Sequence, residues 1–122
     1  MSMIDSASEN PLLIRLQELV KETDFDFVIE LVDIFLNETP AQIQIILKAL
    51  ASQDYHVLTI AAHTLKGSSL NLGAKQLGAS CFKLEELGRS GGPIQAGTDT
   101  KEIENEFEQA KRMLLAFKQS KQ

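Results

Sequence analysis

Apolar residues return every three or four positions through most of the chain, so the pattern predicts helices throughout. Asn10 followed by Pro11 supplies an N-cap and a proline at the first helical position, which predicts a short helix from Pro11 to about Lys21. Asp24 caps a second segment in which Phe25, Val28, Leu31, Val32 and Phe35 recur at helical spacing. Thr39-Pro40 interrupts its hydrogen-bond ladder, yet Ile43, Ile45, Ile46, Leu47 and Leu50 continue the rhythm with no glycine or turn cluster between, so one long helix kinked at Pro40 is expected. Asp54 opens a third helix reaching about Leu72, where Gly73 suits the left-handed geometry that closes helices. A fourth, from Ala74 to about Gly88, aligns Leu77, Cys81, Leu84 and Leu87, and the run from Gly88 to Pro93 should end it in a loop. Thr98 or Asp99 then caps a last helix carrying Ile103, Phe107, Ala110, Leu114 and Phe117. Short connections force successive helices to run antiparallel, so the expected fold is all-α: an antiparallel up-down four-helix bundle with a short extra N-terminal helix. Residues 1–9 are small and polar and are expected to fray, leaving 10–120 as one domain.

Composition narrows the possibilities. With 122 residues, 43% of them hydrophobic, the chain suits one core and has no room for a second domain. A net charge of -5, with basic residues scattered among acidic ones, argues against a nucleic-acid surface. Cys81 has no second cysteine to pair with, and no Cys/His grouping has zinc-ligand spacing, so a reducing, cytoplasmic setting with no bound metal is expected. No apolar run approaches the roughly 20 residues of a membrane span. No Walker-type phosphate loop is present, nor space for an ATP-binding kinase domain, so any phosphoryl group must come from elsewhere.

The third helix carries the candidate chemistry. At about 100° per residue, Leu58, Ala61, Leu65, Ser68 and Leu72 project onto one stripe, the expected core face, and His63 lies nearly opposite. His56, Thr59, Lys66, Gly67 and Leu70 surround it on the outward side. A glycine inside a helix costs about 1 kcal/mol relative to alanine, and Gly67, four residues past His63, clears the space beside the ring. Lys66 places an ammonium one turn from the imidazole, where it can offset the charge of a phosphoryl group. Leu70, with the aliphatic parts of Thr59 and Lys66, suggests a protein-docking patch. In a hairpin folded at Gly73, Lys83 and Glu85 come level with His63, so either is placed to touch the site or to face solvent. His56 has a blander explanation as solvated surface, since two histidines without a third ligand make no metal site. Cys81, Phe107, Met113 and Phe117 are expected to be packing residues.

The run His63-Thr64-Leu65-Lys66-Gly67-Ser68, followed by Asn71-Leu72-Gly73-Ala74, resembles the signature of histidine-containing phosphotransfer (HPt) domains. The likeness is specific from about Ala61 to Arg89, looser over Leu31 to Ala51, and without departure in the core motif. It implies a phosphoacceptor at His63, phosphorylated on Nε2, a supporting Lys66, a clearing Gly67, and small residues at Ser68 and Ser69 that let helices approach. It further implies a phosphoryl shuttle without kinase activity of its own. The partners would be response-regulator receiver domains, including that of a hybrid histidine kinase, with Mg²⁺ held by the receiver. Thr59, Lys66, Leu70, Lys83 and Glu85 are the expected partner-binding residues, and the chain is expected to be a monomer. Two alternatives stay open at this point: the phosphoacceptor domain of a larger chemotaxis-type kinase, and a helical interaction module without chemistry.

Overall fold

Side-chain caps set where the first three helices begin. In the computed structural model, which describes residues 10–92 and 100–120, Asn10 Oδ1 accepts from the N–H groups of Leu12 and Leu13 at 2.9 and 3.4 Å. Asp24 Oδ1 accepts from Phe27 at 2.8 Å and Asp54 Oδ1 from Val57 at 3.1 Å. Each cap satisfies amides that the first helical turn leaves unpaired. The helices that follow are α1 (Pro11–Glu22), α2 (Phe25–Ser52) and α3 (Tyr55–Asn71). α4 (Lys75–Ser90) and α5 (Thr100–Lys118) complete the described residues, none of which is in a strand. The expected cap at Thr98 or Asp99, and the fraying expected of residues 1–9, fall on residues outside those described.

Two boundaries turn on proline and glycine. α2 runs unbroken through Pro40, which sits on the solvent face, where water can serve the carbonyl that its missing N–H leaves free. α4 does not stop at Gly88 as expected but continues to Ser90, and Gly91, at φ +65°, closes it in the left-handed region. Gly73 turns α3 into α4 at φ +86°. A Cβ there would stand 2.6 Å from Arg15 Cβ, and Arg15 Nε donates to the Asn71 carbonyl at 2.9 Å, so α1 is fastened to the turn.

α2, α3, α4 and α5 pack in sequence around a ring that closes between α5 and α2, and α1 lies against α2 and α5. Leu16, Val28, Val32, Ile46, Leu58, Leu65, Leu77, Leu84, Ile103 and Leu114 fill the centre with almost no exposure. Phe25 stacks on Phe117 at 5.2 Å between ring centroids, and Phe35 meets Phe107 at 6.1 Å. Cys81 is a core residue; burial, with Glu106 adding to it, pushes its thiol up to about 12. Among the described residues no helix is long and apolar enough to cross a membrane.

α3 and α4 form the most extensive pair, because glycines let them approach. A Cβ on Gly88 would collide with Thr59 Oγ1 and stand 3.0 Å from the Thr59 backbone nitrogen; one on Gly78 would stand 2.5 Å from Leu70 Cδ2. This close approach turns the buried arc of α3 toward α4. The buried residues are Leu58, Ala62, Leu65 and Ser69, whereas Ala61 and Ser68, expected in the core, are only half-buried. His63 stays on the outside.

Candidate functional site

His63 and Glu85 come from the middle of α3 and the second half of α4, and the glycine-mediated packing of those helices brings them together. The His63 side chain is 62% exposed, while Glu85 is 2% exposed, so a buried carboxylate supports a solvent-facing imidazole from beneath. The His63 Nδ1–H donates to Glu85 Oε2 at 2.9 Å. The same oxygen accepts from Arg89 Nη2 at 2.5 Å, and the other, Oε1, lies 2.7 Å from Lys66 Nζ. A buried carboxylate costs much solvation unless paired, and here two cations and a ring N–H compensate it. Lys66 first, then Arg89, with His63 adding to them, hold the Glu85 carboxyl down at about 2 against the opposing effect of burial. In return, Glu85 raises the Arg89 guanidinium above its ordinary value.

The ionised carboxylate fixes the tautomer of the ring. A carboxylate can only accept, so in the neutral ring Nδ1 carries the proton and Nε2 keeps its lone pair. Nε2 is thus the free nucleophilic atom on an exposed ring, beside a cluster in which two cations outnumber one carboxylate. A phosphoryl group arriving there meets positive charge already in place.

The remaining expected residues divide. Nothing lies within 4 Å of where a Gly67 Cβ would be, so this glycine serves no packing contact and leaves open space on the surface of α3. Leu70 is exposed yet leans across Gly78, lying over α4 as well as facing solvent. Thr59 is half-buried, donates its hydroxyl to the Tyr55 carbonyl at 2.8 Å, and is wedged against Gly88 rather than turned outward. Lys83 is apart from the cluster and pairs with Glu102 of α5 at 3.8 Å. His56 is exposed. Among the described residues no group of three or more His, Cys, Asp or Glu could hold a metal ion.

Sequence reasoning missed Arg89, which it placed in a terminating loop. Its signal was present: four residues after Glu85, it has the spacing of a helical ion pair. Phe82, whose ring lies 5.3 Å from Lys66 Nζ, was also missed. On the far side of α3, Gln42, Ile45, Val57, Ile60, Ala61 and Thr64 line an uncharged groove of 290 Å³ between α2 and α3.

The Hpt domain family model matches residues 30–113, well over half of the chain, and the protein belongs to that family of histidine-containing phosphotransfer domains. It is therefore a phosphotransfer shuttle within phosphorelay signalling, built as a helical bundle. The chain is similar to the crystal structure of histidine-containing phosphotransfer protein B (HptB) from Pseudomonas aeruginosa PAO1, with a TM-score of 0.81 and 28% identity over 88% of this chain and 93% of that one. No curated protein matches the chain.

Proposed function

We propose that His63 is the phosphoacceptor of a phosphorelay intermediate formed by residues 10–120, taking a phosphoryl group from a receiver-domain aspartate and passing it to a second receiver in the cytoplasm. The observation that carries this is the contact of His63 Nδ1 with the buried, ionised Glu85, which leaves Nε2 free on an exposed ring. In the forward step the Nε2 lone pair forms the N–P bond while the P–O bond to the aspartate breaks, and the aspartate carboxylate leaves with that electron pair. Nδ1 keeps its proton, so the ring gains positive charge as the bond forms and Glu85 faces that charge. Lys66 neutralises the phosphoryl oxygens, and Mg²⁺ is supplied by the receiver. Return transfer runs the same steps backwards.

Receiver docking has support on both flanks of the ring. Gly67 leaves room, Leu70 is apolar and exposed on the α4 side, and Ile60, Val57 and Ile45 are apolar and exposed on the α2 side. A chain that is 24% charged places no charged residue in the groove that these isoleucines and the valine line.

The test is transfer from a receiver domain charged with acetyl phosphate. The parental chain should gain an acid-labile, base-stable phosphoryl group, and folded His63→Gln should gain none. Transfer to His63→Gln at the parental rate would contradict the assignment.

A further inference from the structure

Phe82 is a large apolar side chain left 49% exposed on α4, three residues before Glu85. Its place is explained by what lies on it. The Lys66 ammonium sits 5.3 Å from the centre of the Phe82 ring and 2.7 Å from Glu85 Oε1, so α4 offers it an aromatic ring and a carboxylate together. The Lys66 side chain is only 22% exposed, although it springs from the outward half of α3. A surface lysine ordinarily samples many rotamers, and ordering it has an entropic cost that a reaction would otherwise bear at the moment of transfer. A ring within about 6 Å attracts the cation through its quadrupole, and it keeps water off one side of the ammonium.

We infer that Phe82 is a positioning residue for phosphotransfer: with Glu85, its ring fixes the Lys66 ammonium beside His63, and it acts on the transferring phosphoryl group only through that lysine. This rests on the phosphotransfer reading above. Glu85 alone would tether the ammonium while leaving it free to swing about the carboxylate oxygen. The ring of Phe82 removes that freedom, because the cation loses its π contact whenever it leaves the ring face. Preorganised charge stabilises a transition state better than charge that must be gathered during the reaction.

The experiment compares the parental chain with Phe82→Leu, Phe82→Tyr, Lys66→Ala and the Lys66→Ala/Phe82→Leu double variant. Each is mixed with increasing amounts of a receiver domain charged with acetyl phosphate. Phe82→Leu, which keeps apolar bulk but has no π face, should slow transfer at saturating receiver by about threefold, as expected for a partly exposed cation–π contact, with the half-saturating concentration unchanged. Phe82→Tyr should restore the rate, and in the Lys66→Ala background Phe82→Leu should add nothing. In the free protein, proton NMR should show the Lys66 ε-methylene shifted upfield by the ring, and Phe82→Leu should abolish that shift. A raised half-saturating concentration with an unchanged rate would overturn the proposal in favour of direct docking, as would an additive loss in the double variant. Parental rates in Phe82→Leu, with the parental chain active, overturn the role of Phe82 alone. A parental chain that takes no phosphate overturns the phosphotransfer reading and this role with it.

Discussion

Glu85 is the side chain on which the site is organised. It lies buried between two cations and an imidazole, and its charge decides which nitrogen of His63 is free. Glu85→Gln keeps the shape but presents a neutral group whose amide can donate, so Nδ1 would no longer be held as the protonated nitrogen. Transfer to this variant should fall by about one to two orders of magnitude, the scale associated with losing a carboxylate that orients a histidine ring from behind. Circular dichroism should show an intact helical fold, and single-turnover kinetics would give the rate. A Glu85→Gln variant that accepts phosphate at the parental rate would remove the carboxylate from the mechanism. Lys66 has a narrower part: its ammonium is shared between Glu85 and Phe82, so losing it withdraws charge without releasing the ring.

At the scale of helices, the packing of α3 on α4 separates glycines that look alike in sequence. Gly88 faces Thr59 with no room for a Cβ, and Gly67 faces open space. Gly88→Ala should therefore destabilise the protein by about 1–3 kcal/mol through overpacking. Gly67→Ala should leave stability unchanged or raise it by up to about 1 kcal/mol, since alanine is the better helix former. Yet Gly67→Ala should transfer phosphate more slowly, because the added methyl group stands in the open surface space across which a receiver would approach. Urea unfolding and transfer rates on the two variants would check this opposition; equal destabilisation by both would refute it. The sequence made the helices and three of their caps legible, because an Asn or Asp cap acts on amides two or three residues away. His63, Lys66 and Gly67 were legible because one helix holds all three. Gly88 was misread as a helix terminator because its partner, Thr59, belongs to another helix, and the interaxial distance is not written in either segment. The same closeness shifted the buried arc of α3 from Ala61 and Ser68 to Ala62 and Ser69. Glu85 could be placed level with His63, but its three partners depended on that rotation.

For the molecule as a whole, the cluster couples the site to folding. The folded-state pKa of Glu85, about 2, lies below the ordinary value of 4.5. A carboxylate depressed in this way contributes its full stabilisation above about pH 4.5, and the contribution is lost as pH falls toward 2. The urea midpoints of the parental chain and Glu85→Gln should differ by a constant amount above pH 4.5 and converge as pH approaches 2. A difference independent of pH across that window would show that the charge of Glu85 does not support the fold. The four-helix ring gives the cluster a rigid base, with Leu58, Leu65 and Leu84 packed beneath α3 and α4, so the exposed His63 ring and the buried Glu85 carboxylate keep their register. The measurement that goes most directly to the central claim is ¹⁵N–³¹P NMR on the chain labelled with ¹⁵N-histidine and phosphorylated through a charged receiver. The phosphoryl group should be bonded to Nε2 of His63, with the proton retained on Nδ1; phosphate on Nδ1, or on His56, would contradict the account.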